Sequence, residues 1–149
     1  MPLPPDSIEK IRANLEQLDN KERAPVINIG SLTEAQHSAI NEHRASEGLP
    51  PLESPEVLYM GRHHYTSRSA DGYTIEDMIE QIKSSMSPFS EFHKDPKKPH
   101  ATALINNTPR NDGYGNQVND LAILELTSRK PRAELFSVIP KGDLNKPQK

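Results

Sequence analysis

A chain of 149 residues with no cysteine has no disulfide, no thiolate metal site and no Cys nucleophile. Hydrophobic residues make up 33%, Trp is absent and Pro reaches 14, which predicts one domain with a modest core and long connections. The net charge of −3 argues against a general polyanion binder, but it is unevenly placed: residues 1–60 carry 5 Lys+Arg against 10 Asp+Glu (−5), residues 61–149 carry 13 against 11 (+2). A phosphate-bearing ligand therefore belongs with the second half. No apolar run has the length of a bilayer span, and MPLPPDSIEK lacks the charged-then-apolar order of a signal peptide, so no membrane anchor is expected.

Asp6 followed by Ile8, Ile11, Leu15 and Leu18 predicts an N-capped helix with a narrow apolar stripe ending near Asp19-Asn20, expected to pack or to link. PVINIG (25–30) has the look of a short strand. Thr33 and Gln36 form a capping box for a helix to about Ser46. EGLPPLESP (47–55) is a proline-rich connection, and Val57 to Met60 is a short strand or helical turn. MGRHHYTSRSADGY (60–73) is mostly polar, with no helix or strand signal of its own; Thr74 with Asp77 then caps the clearest helix, carrying Ile75, Met78, Ile79, Ile82 and Met86. Residues 87–99 have the composition of an exposed loop. Strands follow near 101–106, 117–128 and 134–140, the last two joined by RKPR as a hairpin connection, and a frayed tail comes after Gly142. Helices first and strands afterwards predict an α+β domain, N-terminal helices packed on a curved antiparallel β-sheet with a concave open face.

Three polar clusters carry the candidate chemistry. In the first, His63 and His64 supply proton transfer, and Arg62 and Arg68 supply donor forks for a phosphate; in an extended backbone only one histidine faces a given cleft. The second, TPRNDGYGNQVND (108–120), offers Arg110, turn-forming glycines, the Tyr114 ring for base stacking, and amides such as Asn116 for base edges. The third is the final strand, where simple alternation puts Leu135, Ser137 and Ile139 on one face and Phe136, Val138 and Pro140 on the other, making Ser137 a polar break, with Lys141 at its end. The six histidines show no HExxH and no i, i+4 pair with an acidic partner, so no metal and no cofactor is expected. His37 and His43 are expected on the surface of the acidic helix, His93 and His100 in the loop.

In the order GRHHYTSR, DGYTIEDMIEQI, PRNDGYGNQVNDLAILELTS, LFSVIPKGD, the chain resembles the barnase/EndoU/colicin/RelE superfamily of small ribonuclease toxins, especially C-terminal toxin domains of phage-derived and contact-dependent growth inhibition proteins. The resemblance spans residues 25–143, with 1–24 a helical linker to a delivery protein and 144–149 a tail. It implies a metal-independent endoribonuclease acting on the open face of the sheet, on RNA and above all tRNA, by 2′-hydroxyl attack to a cyclic phosphate. It implies too a cognate immunity protein, and a domain secreted or delivered by a carrier to act in the target-cell cytoplasm. On that resemblance His63 or His64 is the acid or base, Arg68 and Arg110 hold the scissile phosphate, and Ser137 and Lys141 complete the catalytic set; Arg62, Tyr114 and Asn116 bind substrate. Glu125 is either a general base or a strand residue facing solvent. The competing readings are a non-enzymatic phage or adaptor module that binds a protein, and an ADP-ribosyltransferase-like toxin.

Overall fold

The computed structural model describes residues 5–94, 101–126 and 132–142. Two of its helices start where local chemistry dictates. Helix α2 (Glu34–Ser46) opens on Thr33, whose hydroxyl accepts from Gln36 N while Gln36 Oε1 accepts from Thr33 N; α4 (Ile75–Ser85) opens on Thr74 with Asp77 in the same reciprocal arrangement. Each box satisfies two backbone donors that a helix start leaves unpaired. The apolar positions of α4 then bury Met78, Ile79 and Ile82 against the sheet.

Helix α1 (Pro5–Asp19) falls in the stretch 1–24 expected to be a helical linker. Its stripe sends Ile11 and Leu15, both 0% exposed, into the same core as the α4 residues. Arg12 also donates two hydrogen bonds to the Glu76 carboxylate at the head of α4, at 2.9 and 3.0 Å. α1 thus belongs to the domain.

The strands are β1 (Ile27–Ser31), β2 (Glu56–Tyr59), β3 (Glu91–Lys94), β4 (Ala101–Ile105), β5 (Arg110–Asn111), β6 (Gln117–Leu126) and β7 (Ala133–Lys141). They form one open, mostly antiparallel sheet in the order β1-β2-β7-β6-β4-β3, with β5 beside β6. The fold class is therefore α+β, as expected. The sheet is not wholly antiparallel, because β2 runs parallel to β7. Such a pair needs a long crossover, and everything from Met60 to Arg132 supplies it.

Other differences have local causes. The polar stretch after β2 contains a third helix, α3 (Arg62–Ala70), and the predicted loop after α4 contains strand β3. In β7 the register slips: Leu135 faces Leu124 but Ser137 faces Ile123, so Phe136 is an extra residue in a β-bulge. The bulge shifts the alternation, placing Val138 with Leu135 in the core and Phe136 out at 38% exposure. Residues 129–131 of the RKPR connection between β6 and β7, His100 and the tail from residue 143 lie outside the described residues. Among the described residues, no helix is long and apolar enough to cross a membrane.

The core lies between the sheet and α1, α3 and α4, and draws Val57, Tyr59, Leu104, Ala122, Leu124, Leu135 and Val138 from the strands. Leu121, Ile123 and Glu125 alternate with Ala122 and Leu124 along β6 and are half-exposed on the opposite face.

Candidate active site on the open sheet face

Gly61 turns the chain from β2 into α3. It has φ 85°, and a Cβ there would lie 2.2 Å from Asn14 Oδ1, so only glycine fits. In the helix that follows, neighbouring side chains diverge by about 100°, which sends His63 and His64 to different places.

His64 is 0% exposed. Its Nε2 lies 2.9 Å from Gln81 Oε1, an acceptor that fixes the ring proton there, and its Nδ1 accepts from the Tyr59 hydroxyl at 2.8 Å. Burial drives its pKa down to about 4, against a smaller opposing pull from Gln81. His64 is a neutral core residue out of a substrate's reach, which removes it from the catalytic candidates. His63 is exposed, stacked on Phe136 with ring centroids 4.2 Å apart, and its Nε2 is 3.3 Å from Ser67 Oγ. Arg62 beside it is also exposed.

Tyr114 and Asn116 come together with Tyr73, around the α3–α4 connection and the β5–β6 loop. Asp112 organises them: it accepts from the backbone N–H of Tyr114 (2.8 Å) and Asn116 (3.2 Å), from Asn116 Nδ2 (3.2 Å) and from the Tyr73 hydroxyl (3.3 Å). Tyr114 stands edge-on to Tyr73 and donates its hydroxyl to Asp77 at 2.6 Å. A hollow of about 210 Å³ results, lined by Asp71, Gly72, Tyr73, Asp112, Tyr114 and Asn116. Two carboxylates and no cation line it, a poor setting for a phosphate.

The arginines expected to hold that phosphate are engaged elsewhere. Arg68 pairs with Asp71 at 3.3 Å. Arg110 gives Nε and Nη2 to the two oxygens of Asp120, at 2.5 and 3.0 Å, and the Asp120 side chain is 0% exposed. Desolvation pulls the Arg110 pKa down, but the hydrogen bonds and charge of Asp120 outweigh it and leave it raised. Arg110 is thereby the counter-ion of a buried carboxylate. Among the described residues, no hydrogen bond, ring contact or ion pair joins His63 to Arg68 or Arg110. A directly bonded grouping of these residues is not formed.

A different grouping is. On the face away from the helices, β3, β4, β6 and β7 floor a cleft of about 300 Å³ lined by Ala101, Ala103, Leu121, Ile123 and Ile139, with His93, Lys94, Thr102 and Lys141 around it. Lys141 was a candidate; His93 and Lys94 had been assigned to a loop. No acidic side chain lines this cleft. Ser137, opposite Ile123 in register, is 2% exposed and does not line it. Glu125, half-buried, faces Ala101 on β4 and Glu134 on β7. Among the described residues, no three His, Asp or Glu side chains are placed to hold a metal ion.

Comparison with protein-family models, with curated proteins and with solved structures finds no match to this chain.

Proposed function

We propose that the chain is a toxin-type endoribonuclease that works without a metal, with its chemistry in the cleft on the open sheet face. The observation that carries this reading is the placement there of one imidazole, His93, and one ammonium-bearing residue, Lys141, on strands either side of an apolar floor. A nucleotide has the matching form, a flat base for the floor and an anion for the rim.

RNA supplies its own nucleophile, so three tasks remain. Glu125, on the same face at the Ala101 end of the cleft, takes the 2′-hydroxyl proton as the 2′-oxygen bonds to phosphorus. His93 protonates the departing 5′-oxygen. Lys141 offsets the extra charge on the phosphoryl oxygens. The products are a 2′,3′-cyclic phosphate and a free 5′-hydroxyl. tRNA as substrate, a cognate immunity protein and delivery by a carrier into the target-cell cytoplasm belong to this proposal through the resemblance.

The test is incubation of tRNA and total RNA with purified protein in excess EDTA, with product ends read by mass spectrometry. His93→Ala and Glu125→Gln should each lower cleavage by about 10²-fold or more at unchanged thermal stability, while His63→Ala tests the placement expected from the sequence. Full cleavage by folded His93→Ala and Glu125→Gln would overturn the assignment. A protein-binding module without catalysis is the second reading, favoured by Phe89, which is 82% exposed; it predicts no RNA cleavage by the wild type.

A further inference from the structure

The turn between α4 and β3 presents Phe89 to solvent on a backbone held in place. Ser90 N donates to Ser87 O (3.0 Å) and Phe89 N to Ser87 Oγ (3.1 Å). Gln36 Nε2, from α2, donates to both Ser87 O and Ser90 O, at 3.0 and 2.9 Å. At 82% exposure Phe89 is the most exposed large apolar side chain among the described residues. A large ring held outward on a rigid turn loses little freedom when covered, which is how interface hot spots are built.

Beside it lies a groove of about 340 Å³ between α2 and residues 88–92. Two features show what it lacks. Ser90 is 4% exposed, yet its Oγ has no hydrogen-bond partner among the described residues, and it lines the groove. Glu91 and Phe92, consecutive on β3, both line the groove, so it follows the edge of that strand. β3 ends the strand order, and no strand among the described residues pairs with its outer edge. Such an edge is a template for another strand.

Charge selects the kind of partner. Glu91 lines the groove, Glu34 is exposed between the lining residues Thr33 and Ala35, and the first 60 residues carry −5. Phosphates are repelled here and cations are welcome.

We propose that this groove docks a protein partner that adds an extended, lysine- or arginine-bearing segment to the outer edge of β3, with an apolar side chain against Phe89 and Phe92 and a polar group answering Ser90 Oγ. The same strand carries His93 to the cleft. On the ribonuclease reading, a partner held at Glu91 and Phe92 therefore sits at the cleft mouth and inhibits cleavage.

The test uses ¹⁵N-labelled full-length protein and three capped pentapeptides: Lys-Val-Phe-Val-Lys, its Glu-for-Lys counterpart, and the lysine peptide N-methylated at alternate residues. The lysine peptide should shift and protect the amides of residues 91–94, and the other two should bind at least tenfold more weakly. Phe89→Ser should weaken binding about tenfold, and Glu91→Lys should reverse the charge preference. Absence of contact at β3, equal binding of the methylated peptide, or a single-stranded oligonucleotide in the groove would each overturn the proposal. RNA cleavage with no peptide at β3 sinks the groove and leaves the ribonuclease; peptide binding with these properties in a protein that cuts no RNA does the reverse.

Discussion

Acidifying the solution from pH 7 to 4 should destabilise the fold by about 3 kcal/mol through His64 alone. The ring is sealed among β2, α3 and α4, its two nitrogens taken by the Tyr59 hydroxyl and Gln81 Oε1. A second ring proton would break the bond that Nδ1 accepts and place a charge where no solvent reaches, with Arg68 and His63 adding repulsion. The pKa is about 4 in the fold against the ordinary 6.5. Between those values the unfolded chain binds a proton that the folded chain refuses. The contribution of His64 is therefore complete above pH 6.5, lost steadily as pH falls, and constant below about 4. Each unit corresponds to about 1.4 kcal/mol, so the whole window is worth about 3 kcal/mol, or about 1.5 M in urea midpoint at a slope of about 2 kcal/mol/M. Urea unfolding at half-unit pH steps, wild type beside His64→Gln, measures it. The variant starts less stable, having lost the bond to Tyr59, and its midpoint should fall less on acidification by that amount. Parallel curves for the two proteins, or a His64 NMR titration near pH 6.5 in the folded protein, would refute the reasoning.

Arg110→Ala should lower stability by about 3–5 kcal/mol, because it strands the fully buried Asp120 carboxylate; Asp120→Asn on top of it should restore part of the loss in thermal denaturation. If Arg110→Ala leaves the melting temperature alone, the counter-ion role is wrong. Gly61→Ala should cost about 2–4 kcal/mol, from the positive φ and the overlap with Asn14, read from the urea midpoint. Thr74→Ala should cost about 1 kcal/mol by loss of the α4 cap, with Thr33→Ala similar at α2.

The elements legible in the sequence are those whose signals are local. Each capping box lies within four residues, and the helix it opens follows directly. α3 escaped because RHHYTSRSA has neither feature: its N-cap is Gly61 in a left-handed conformation with no side-chain bond, and its one buried residue is a histidine. The available sign was negative, nine residues without Gly or Pro after an apolar strand. β3 was hidden in the same way, four residues in a proline- and lysine-rich stretch whose strand character comes from pairing with β4 rather than from its own propensity. The bulge at Phe136 has no glycine to announce it, so alternation counted from Leu135 assigns Val138 and Ser137 to the wrong faces.

The site was harder for a related reason. An arginine in a sequence carries no record of its partner, and the two expected to bind phosphate differ from Lys141 only in what lies across from them. Asp71 is three residues from Arg68, within one helical turn, so that pairing was foreseeable. Asp120 reaches Arg110 only because β5 pairs back on β6, Arg110 opposite Val118, two residues short of the carboxylate. Lys141 escapes such pairing because it and His93 come from strands separated by β4 and β6, whose intervening positions on that face are Ala103, Leu121 and Ile123. That apolar floor puts no carboxylate in the cleft lining, with Glu125 only at its Ala101 end, and gives the cleft, unlike the acid-lined hollow at Asp112, an open claim on an external anion.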